Sequence, residues 1–230
     1  MSDALEQAVA VMDRLRSPGG CPWDASQTHQ SLARYLIEET YETIEAIETD
    51  DMASLREELG DLLLQVLFHA RLAEELPPGE RFSINDVAED LVAKLVRRHP
   101  HVFGSTDVAD ANEVNENWER LKVAEKGRTS AVDGVPLSQP ALALAGKLVT
   151  RAERAQLHVD VAGAGIGERL FALAREAATA GVDPESALRD TTRRFRAAIL
   201  AAEAAQGFSA ERSPTHQSGT LDLPIQHDET

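Results

Sequence analysis

The stretch YLIEETYETIEAI at residues 35–47, followed by LREELGDLLLQVLF at residues 55–68, decides the fold. Between the two lies Thr49-Asp50-Asp51, a short polar turn. On either side the apolar residues recur at helical spacing, and no stretch alternates as a strand would. The pattern predicts one helix from Thr28 or Gln30 to about Glu48 and a second from about Met52 to Leu76. Pro77-Pro78-Gly79 stops the second. A turn this short folds the two helices into an antiparallel hairpin.

Working outward, residues 3–16 place Leu5, Ala8, Val9, Met12 and Leu15 on one helical stripe. Ser17-Pro18-Gly19-Gly20 ends that helix, and CPWDASQ (21–27) reads as loop. Ser83 starts a further helix, with Asp86 three residues on as a capping partner. That helix carries Ile84, Val87, Leu91 and Leu95 and ends at Arg97-Arg98-His99 before Pro100. Residues 99–110 read as loop and about 111–126 as another helix. Gly127, Gly134 and Pro136 mark a linker over 127–139. Helices resume at about 140–157, 166–180 and 184–205. From Gly207 to Thr230 the chain is polar and aperiodic, which predicts a disordered tail. The fold class is all-α, with a helical domain over 1–126 and an Ala-rich helical module over 140–206.

Composition sets the outer limits. The chain has 230 residues, 23 Lys+Arg against 39 Asp+Glu, and a formal net charge of −16. Hydrophobic residues at 43% exclude global disorder, and aromatics at 4% disfavour a β-sandwich. An excess of acid argues against a polymeric nucleic acid partner, because backbone binding needs a basic face. A small anionic ligand bridged by cations stays open. The single Cys21 excludes an internal disulfide framework and suits a reducing, cytoplasmic compartment. Residues 1–16 lack the basic-then-apolar pattern of a secretory leader, and no run of apolar residues is long enough for a membrane span.

The hairpin carries the chemistry. Glu39 and Glu42 are three apart on one helix face, and so are Glu58 and Asp61. Glu39 and Asp61 lie equally far from Asp50, as do Glu42 and Glu58. Two carboxylate pairs therefore face each other across one seam, on or beside an apolar stripe that includes Leu32, Leu36, Leu55, Leu62 and Val66. Four carboxylates held together repel unless cations or protons intervene. All-oxygen donors suit Mg²⁺, with Mn²⁺ as a substitute. A di-iron bundle would add Glu-x-x-His pairs, which this chain lacks. Mg²⁺ usually joins carboxylates to substrate phosphates, so the set points to a nucleotide or another phosphorylated compound. The bland alternative is a solvated acidic face, and Glu45, Glu48 and Glu57 are left with it.

A local basic cluster stands out in so acidic a chain. Lys94, Arg97 and Arg98 lie within one helix end. They suit either phosphate oxygens or the helix C-terminus. Trp23, in a Gly/Pro-bounded loop, and Trp118, with Lys122 one turn on, are candidate ligand contacts or core residues. His29, His69 and His158 show no metal-ligand spacing and read as structural. Cys21 reads as packing. The glycines at 162–167 follow no strand, so they make a weak phosphate loop.

These segments together resemble the MazG family of nucleoside triphosphate pyrophosphohydrolases. The resemblance rests on GCPWDASQTH (20–29), YLIEETYETIEAI (35–47), LREELGDLLLQVLFHARLA (55–73), KLVRRHPHVF (94–103) and WERLK (118–122). The family motif, Glu-Glu-x-x-Glu then Glu-x-x-Asp, matches Glu38-Glu39-Thr40-Tyr41-Glu42 and Glu58-Leu59-Gly60-Asp61. The resemblance implies an all-α, dimerising helical bundle. It implies Mg²⁺-dependent cleavage of a (d)NTP between the α- and β-phosphates. It implies Glu39, Glu42, Glu58 and Asp61 as metal ligands, Glu38 as a further ligand or water-orienting base, and Lys94, Arg97 and Arg98 near the triphosphate. Broad base tolerance and a role in clearing the nucleotide pool follow as family expectations. A departure lies at GIGERLFALAREA (165–177), where Gly165 and Glu168 stand in the places of Glu58 and Asp61, with no Glu-Glu-x-x-Glu helix before them. The second module is expected to be degenerate and catalytically silent. Two other readings stay open: an enzyme confined to dUTP, dCTP or phosphoribosyl-ATP, and a non-catalytic acidic interaction module.

Overall fold

A computed structural model describes residues 2–105, 110, 113, 114, 117, 118, 125, 127 and 129–206. Among these there is no strand, and the chain is all-α. It divides into two compact units, residues 1–122 and 123–230. The expected helix over 111–126 lies mostly outside the described residues, as do Lys122 and the tail from 207.

In the first unit, α1 spans Ser2–Arg16, α2 Pro22–Ser26, α3 His29–Glu48, α4 Met52–Ala73, α5 Ile84–Arg98 and α6 Pro100–Phe103. The α3–α4 hairpin is its centre, and each helix start has a chemical cause. Thr28 caps α3: its side chain accepts from the Ser31 amide, and the Ser31 hydroxyl closes the box on the Thr28 amide. Asp51 caps α4, accepting from the Ala53 and Ser54 amides at 3.1 Å each. Asp50 makes the reversal with a left-handed φ of 55°. Ser83 caps α5, with Asp86 completing the box.

Two segments read as loop are short helices. Both α2 and α6 begin with proline at their first positions. Proline there lacks only an amide that would be unpaired anyway, so it starts a helix as readily as it breaks one. The second hairpin helix also stops at Ala73, three residues before the expected Leu76.

The core of this unit gathers Met12 from α1, Leu32 from α3, and Leu67, Phe68 and Leu72 from α4. Ala8, Leu15, Tyr35 and Ile84 pack against it. Each of the buried Met, Leu and Phe side chains contributes about 1.5–3 kcal/mol. The α1 stripe is thus only partly used, since Leu5 stays 57% exposed. On α5 only Ile84 reaches the core, while Val87, Leu91 and Leu95 face outward. Arg16 ties α1 to the end of α4. Its Nε and Nη2 donate to the two carboxylate oxygens of Glu75 at 2.8 and 2.9 Å, and its Nη1 donates to the Asp24 carbonyl. Beside it, Arg71 pairs with Asp13 at 2.8 Å and Glu75 at 3.1 Å.

In the second unit, α7 spans Ala141–Arg154, α8 Ile166–Thr179 and α9 Pro184–Gln206. Among the described residues of this unit, Gly146, Val149 and Ala174 are buried. Gly146 lets Pro184 approach closely: a Cβ there would sit 3.1 Å from the Pro184 ring.

Candidate metal centre

The α3–α4 seam brings Glu39, Glu58 and Asp61 together, each half-buried. One carboxylate oxygen from each lies within 4.8 Å of the others. Glu42, one turn on from Glu39 and exposed, adjoins them: its charge is among those that raise both Glu39 and Glu58. The seam works as the turn at Asp50 dictates. Residues equally far from it along the two helices meet, so one hairpin sets all four acids.

The electrostatics fit a cation. Burial, then the charges of Asp61, Glu42 and Glu58, push the Glu39 carboxyl above its usual range. Burial, then Glu42, Asp61 and Glu57, push Glu58 up as well. Among the described residues no Lys, Arg or His forms an ion pair with any of the four. Clustered hard oxygen donors with excess negative charge are the donor set that a divalent cation such as Mg²⁺ or Mn²⁺ takes. The flanking apolar stripe is only partly covered. Leu32 is buried and Leu55 and Leu62 half-buried, but Leu36 and Val66 are 39% and 43% exposed. The acids stand at the margin of the core rather than within it.

The other expected site residues are placed as follows. Glu38 is exposed and lies outside the three-carboxylate group, four residues before Glu42 and on the same face as it. Trp23, on α2, is 50% exposed. Its ring meets Tyr35 edge-on at 5.9 Å and Phe68 at 6.4 Å. Tyr35 is one helical turn before Glu39, so Trp23 stands beside the carboxylate seam. Lys94, Arg97 and Arg98 lie in the last turns of α5, with Lys94 and Arg97 exposed. Ile84 anchors that helix to the core, and the basic residues lie roughly 15–20 Å further along it at 1.5 Å per residue. Trp118 is half-buried and its ring lies 6.0 Å from that of His99.

One pairing escaped the sequence reading. The Nδ1 atoms of His29 and His69 lie 2.7 Å apart, with the rings edge to edge, their planes 7° from parallel and their centres 5.0 Å apart. The signal was the same hairpin register, since the two lie almost equally far from Asp50. In the second unit, Glu168 folds back over the start of its own helix. A Cβ on Gly163 or Gly165 would meet its side chain at 2.8 or 2.6 Å. Among the described residues that unit gathers no second cluster of metal-ligating groups.

Comparison with known proteins agrees with the region that the geometry singles out. Residues 27–103 match the MazG nucleotide pyrophosphohydrolase domain model. An uncharacterized 26.1 kDa protein from the blaB 3′ region of Streptomyces cacaoi is 52% identical over 202 residues, 86% of this chain and 82% of its own length. A nucleoside triphosphate pyrophosphohydrolase/pyrophosphatase MazG of Thermotoga maritima is 39% identical over 216 residues, 83% of this chain and 82% of that protein. A nucleoside triphosphate pyrophosphohydrolase of Mycolicibacterium smegmatis is 44% identical over 209 residues. The match covers 86% of this chain and only 61% of that relative.

Proposed function

Given that the chain belongs to the MazG family of nucleotide pyrophosphohydrolases, we propose that it hydrolyses (d)NTPs between the α- and β-phosphates, giving a nucleoside monophosphate and pyrophosphate. The observation that carries this reading is the meeting of Glu39, Glu58 and Asp61 within 4.8 Å with no cationic partner. Glu39, Glu42, Glu58 and Asp61 would hold Mg²⁺, or Mn²⁺ in its place. A cation bound there supplies charge neutralisation for the phosphoryl oxygens and lowers the pKa of a bound water.

The chain's own residues do the rest. Glu38, exposed beside Glu42, takes the proton of the attacking water. Water adds across the α–β anhydride, and the bridging oxygen leaves with pyrophosphate. Trp23 offers a half-exposed ring for a base, a sequence-tolerant contact that suits broad base use and nucleotide-pool housecleaning. Lys94, Arg97 and Arg98 meet the triphosphate, with Trp118 and Lys122 completing the contact set. On α5, Leu91, Val92, Leu95 and Val96 are 40–60% exposed, which supports a homodimer or higher oligomer covering that face. We assign catalysis to residues 1–126, with 127–139 as linker, 140–206 as a silent degenerate module and 207–230 as a disordered tail. The net charge of −16 and the single cysteine support a cytoplasmic enzyme without a nucleic acid polymer as partner. Among the described residues no helix is long and apolar enough to cross a membrane.

Product analysis tests the reaction. The purified chain is incubated with Mg²⁺ and each NTP and dNTP, beside Glu42→Gln. Monophosphate plus pyrophosphate, lost in the variant, is expected. Diphosphate plus orthophosphate would overturn the bond assignment. A response to one nucleotide alone would favour the narrow enzyme, and no turnover at all the interaction module.

A further inference from the structure

Two polar atoms on one face of α4 are buried without a protein partner. They are Gln65 Oε1 and His69 Nε2. Gln65 as a whole is 5% exposed. The two residues are four apart, one turn along the helix, and Asp61 of the carboxylate cluster is one turn before Gln65. A buried carbonyl without a donor costs about 1–3 kcal/mol, so folded proteins rarely leave one without a purpose.

The histidine pair fixes what kind of guest would suit them. Two Nδ1 atoms 2.7 Å apart share one hydrogen, so one ring donates and the other accepts there. Burial and the neighbouring His29 keep His69 below its ordinary pKa, hence neutral at neutral pH. If His29 donates, the hydrogen of His69 stands on Nε2. A buried donor then sits one turn from a buried acceptor. An anion would meet the Gln65 oxygen unfavourably, and an apolar group would leave both atoms unpaired. A hydroxyl satisfies both, accepting from His69 and donating to Gln65.

The position matters as much as the chemistry. Tyr35 lies opposite Gln65 in the hairpin register, and Trp23 rests edge-on against Tyr35 and Phe68. In that register Gln65 lies level with Tyr35, one turn from the carboxylates that would hold a triphosphate, and His69 lies one turn further on. A nucleotide whose phosphates sit on the carboxylates brings its sugar toward that level.

We propose that Gln65 and His69, backed by His29, form a slot that binds a sugar hydroxyl of the nucleotide. The slot rests on the nucleotide reading above. It also accounts for base tolerance in that reading, because the hydroxyls are common to nucleotides of every base. Both atoms are enclosed, so a hydroxyl reaches them only when neighbouring side chains move.

Calorimetry on the full chain with Mg²⁺ tests this. The probes are non-hydrolysable α,β-imido analogues of ATP, 2′-deoxy-ATP and 3′-deoxy-ATP, with inorganic tripolyphosphate as the nucleoside-free control. One deoxy analogue should bind the wild type about 10-fold more weakly than the ATP analogue, the value of one hydrogen bond. In Gln65→Met and in His69→Gln that ratio should fall to within about 2-fold, with tripolyphosphate binding unchanged. Should Gln65→Met fail to fold, His69→Gln carries the same comparison. Indifference of the wild type to both hydroxyls, or a ratio that survives in both variants, overturns the slot alone and leaves a buried water site. Failure to bind every nucleotide and tripolyphosphate removes the nucleotide reading, and the slot with it.

Discussion

Glu39 and Asp61 lie equally far from Asp50 along the chain and meet across the α3–α4 seam, with Glu58 completing a set of carboxylates within 4.8 Å. Burial first, and then the charges of Asp61, Glu42 and Glu58, raise the Glu39 carboxyl, so the repulsion within the set is a stability cost in the metal-free chain. Each like-charge contact on a helical surface costs about 0.2–0.5 kcal/mol. Glu39→Gln should therefore raise the melting temperature in EDTA by about 1–3 °C, while metal-dependent turnover falls at least ~100-fold. Added Mg²⁺ should raise the melting temperature of the wild type more than that of the variant, by mass action on the folded state. Calorimetric scans in EDTA and in Mg²⁺ check both. A variant that melts lower in EDTA would contradict the repulsion argument.

A second prediction concerns Arg16. Its side chain is 7% exposed, and it grips both oxygens of Glu75 while lying 5.9 Å from the centre of the Phe68 ring. Arg16→Met removes the buried partner of a half-exposed pair, together with the bond to the Asp24 carbonyl, and should cost about 1–2 kcal/mol. The Arg16 guanidinium holds the Glu75 carboxyl below its usual range. A depressed carboxyl contributes stability that is present above the unfolded value of 4.5 and is lost as pH falls through the folded value. Urea melts of wild type and Glu75→Gln should differ most above about pH 5 and converge as pH falls through the lowered folded value.

The seven long helices among the described residues are legible because their apolar spacing and their polar or glycine-proline stops agree. Thr28, Asp51 and Ser83 cap where their hydroxyl or carboxylate side chains suggest. The short helices at Pro22 and Pro100 were not, because proline punctuates a sequence in the same way whether it ends or begins a helix. The carboxylates could be read across the hairpin because a three-residue turn leaves little freedom of register. His29 and His69 obey the same register, but a pair 40 residues apart makes no motif of spacing along the chain. Burial was the least legible feature. The spacing that makes Val87, Leu91 and Leu95 an apolar face does not say whether this chain covers it.

Asp50 offers a local test of the turn. Its φ of 55° is a left-handed conformation that asparagine, aspartate and glycine tolerate best. Asp50→Gly should be neutral or stabilising by up to about 1 kcal/mol, because the strain relieved offsets the added freedom of the unfolded chain. Asp50→Val should cost about 1–2 kcal/mol, since a β-branched side chain crowds that backbone. Because the turn sets the register, Asp50→Val should also weaken Mn²⁺ binding, followed by electron paramagnetic resonance. Unaltered stability in Asp50→Val would mean that the α3–α4 packing, not the turn, sets the reversal.

The histidine pair gives the chain a pH response separate from its carboxylates. His69 titrates below its unfolded value of 6.5, first because it is buried and second because His29 stands against it. A base with a depressed folded pKa binds its proton more readily in the unfolded chain. Stability is therefore full above about pH 7.5 and falls as pH drops through the unfolded value and on to the folded one. Double protonation would also place hydrogens on both Nδ1 atoms, which at 2.7 Å cannot both be carried there. The first turn of α3 should then part from α4, starting from the Thr28 cap. Denaturant melts of the wild type minus His69→Gln, measured from pH 8 to 5, should show a difference that shrinks on the acid side of about pH 6.5. A difference that grows there instead would mean that the folded chain holds the pair protonated, and that a carboxylate rather than His29 is the partner of His69.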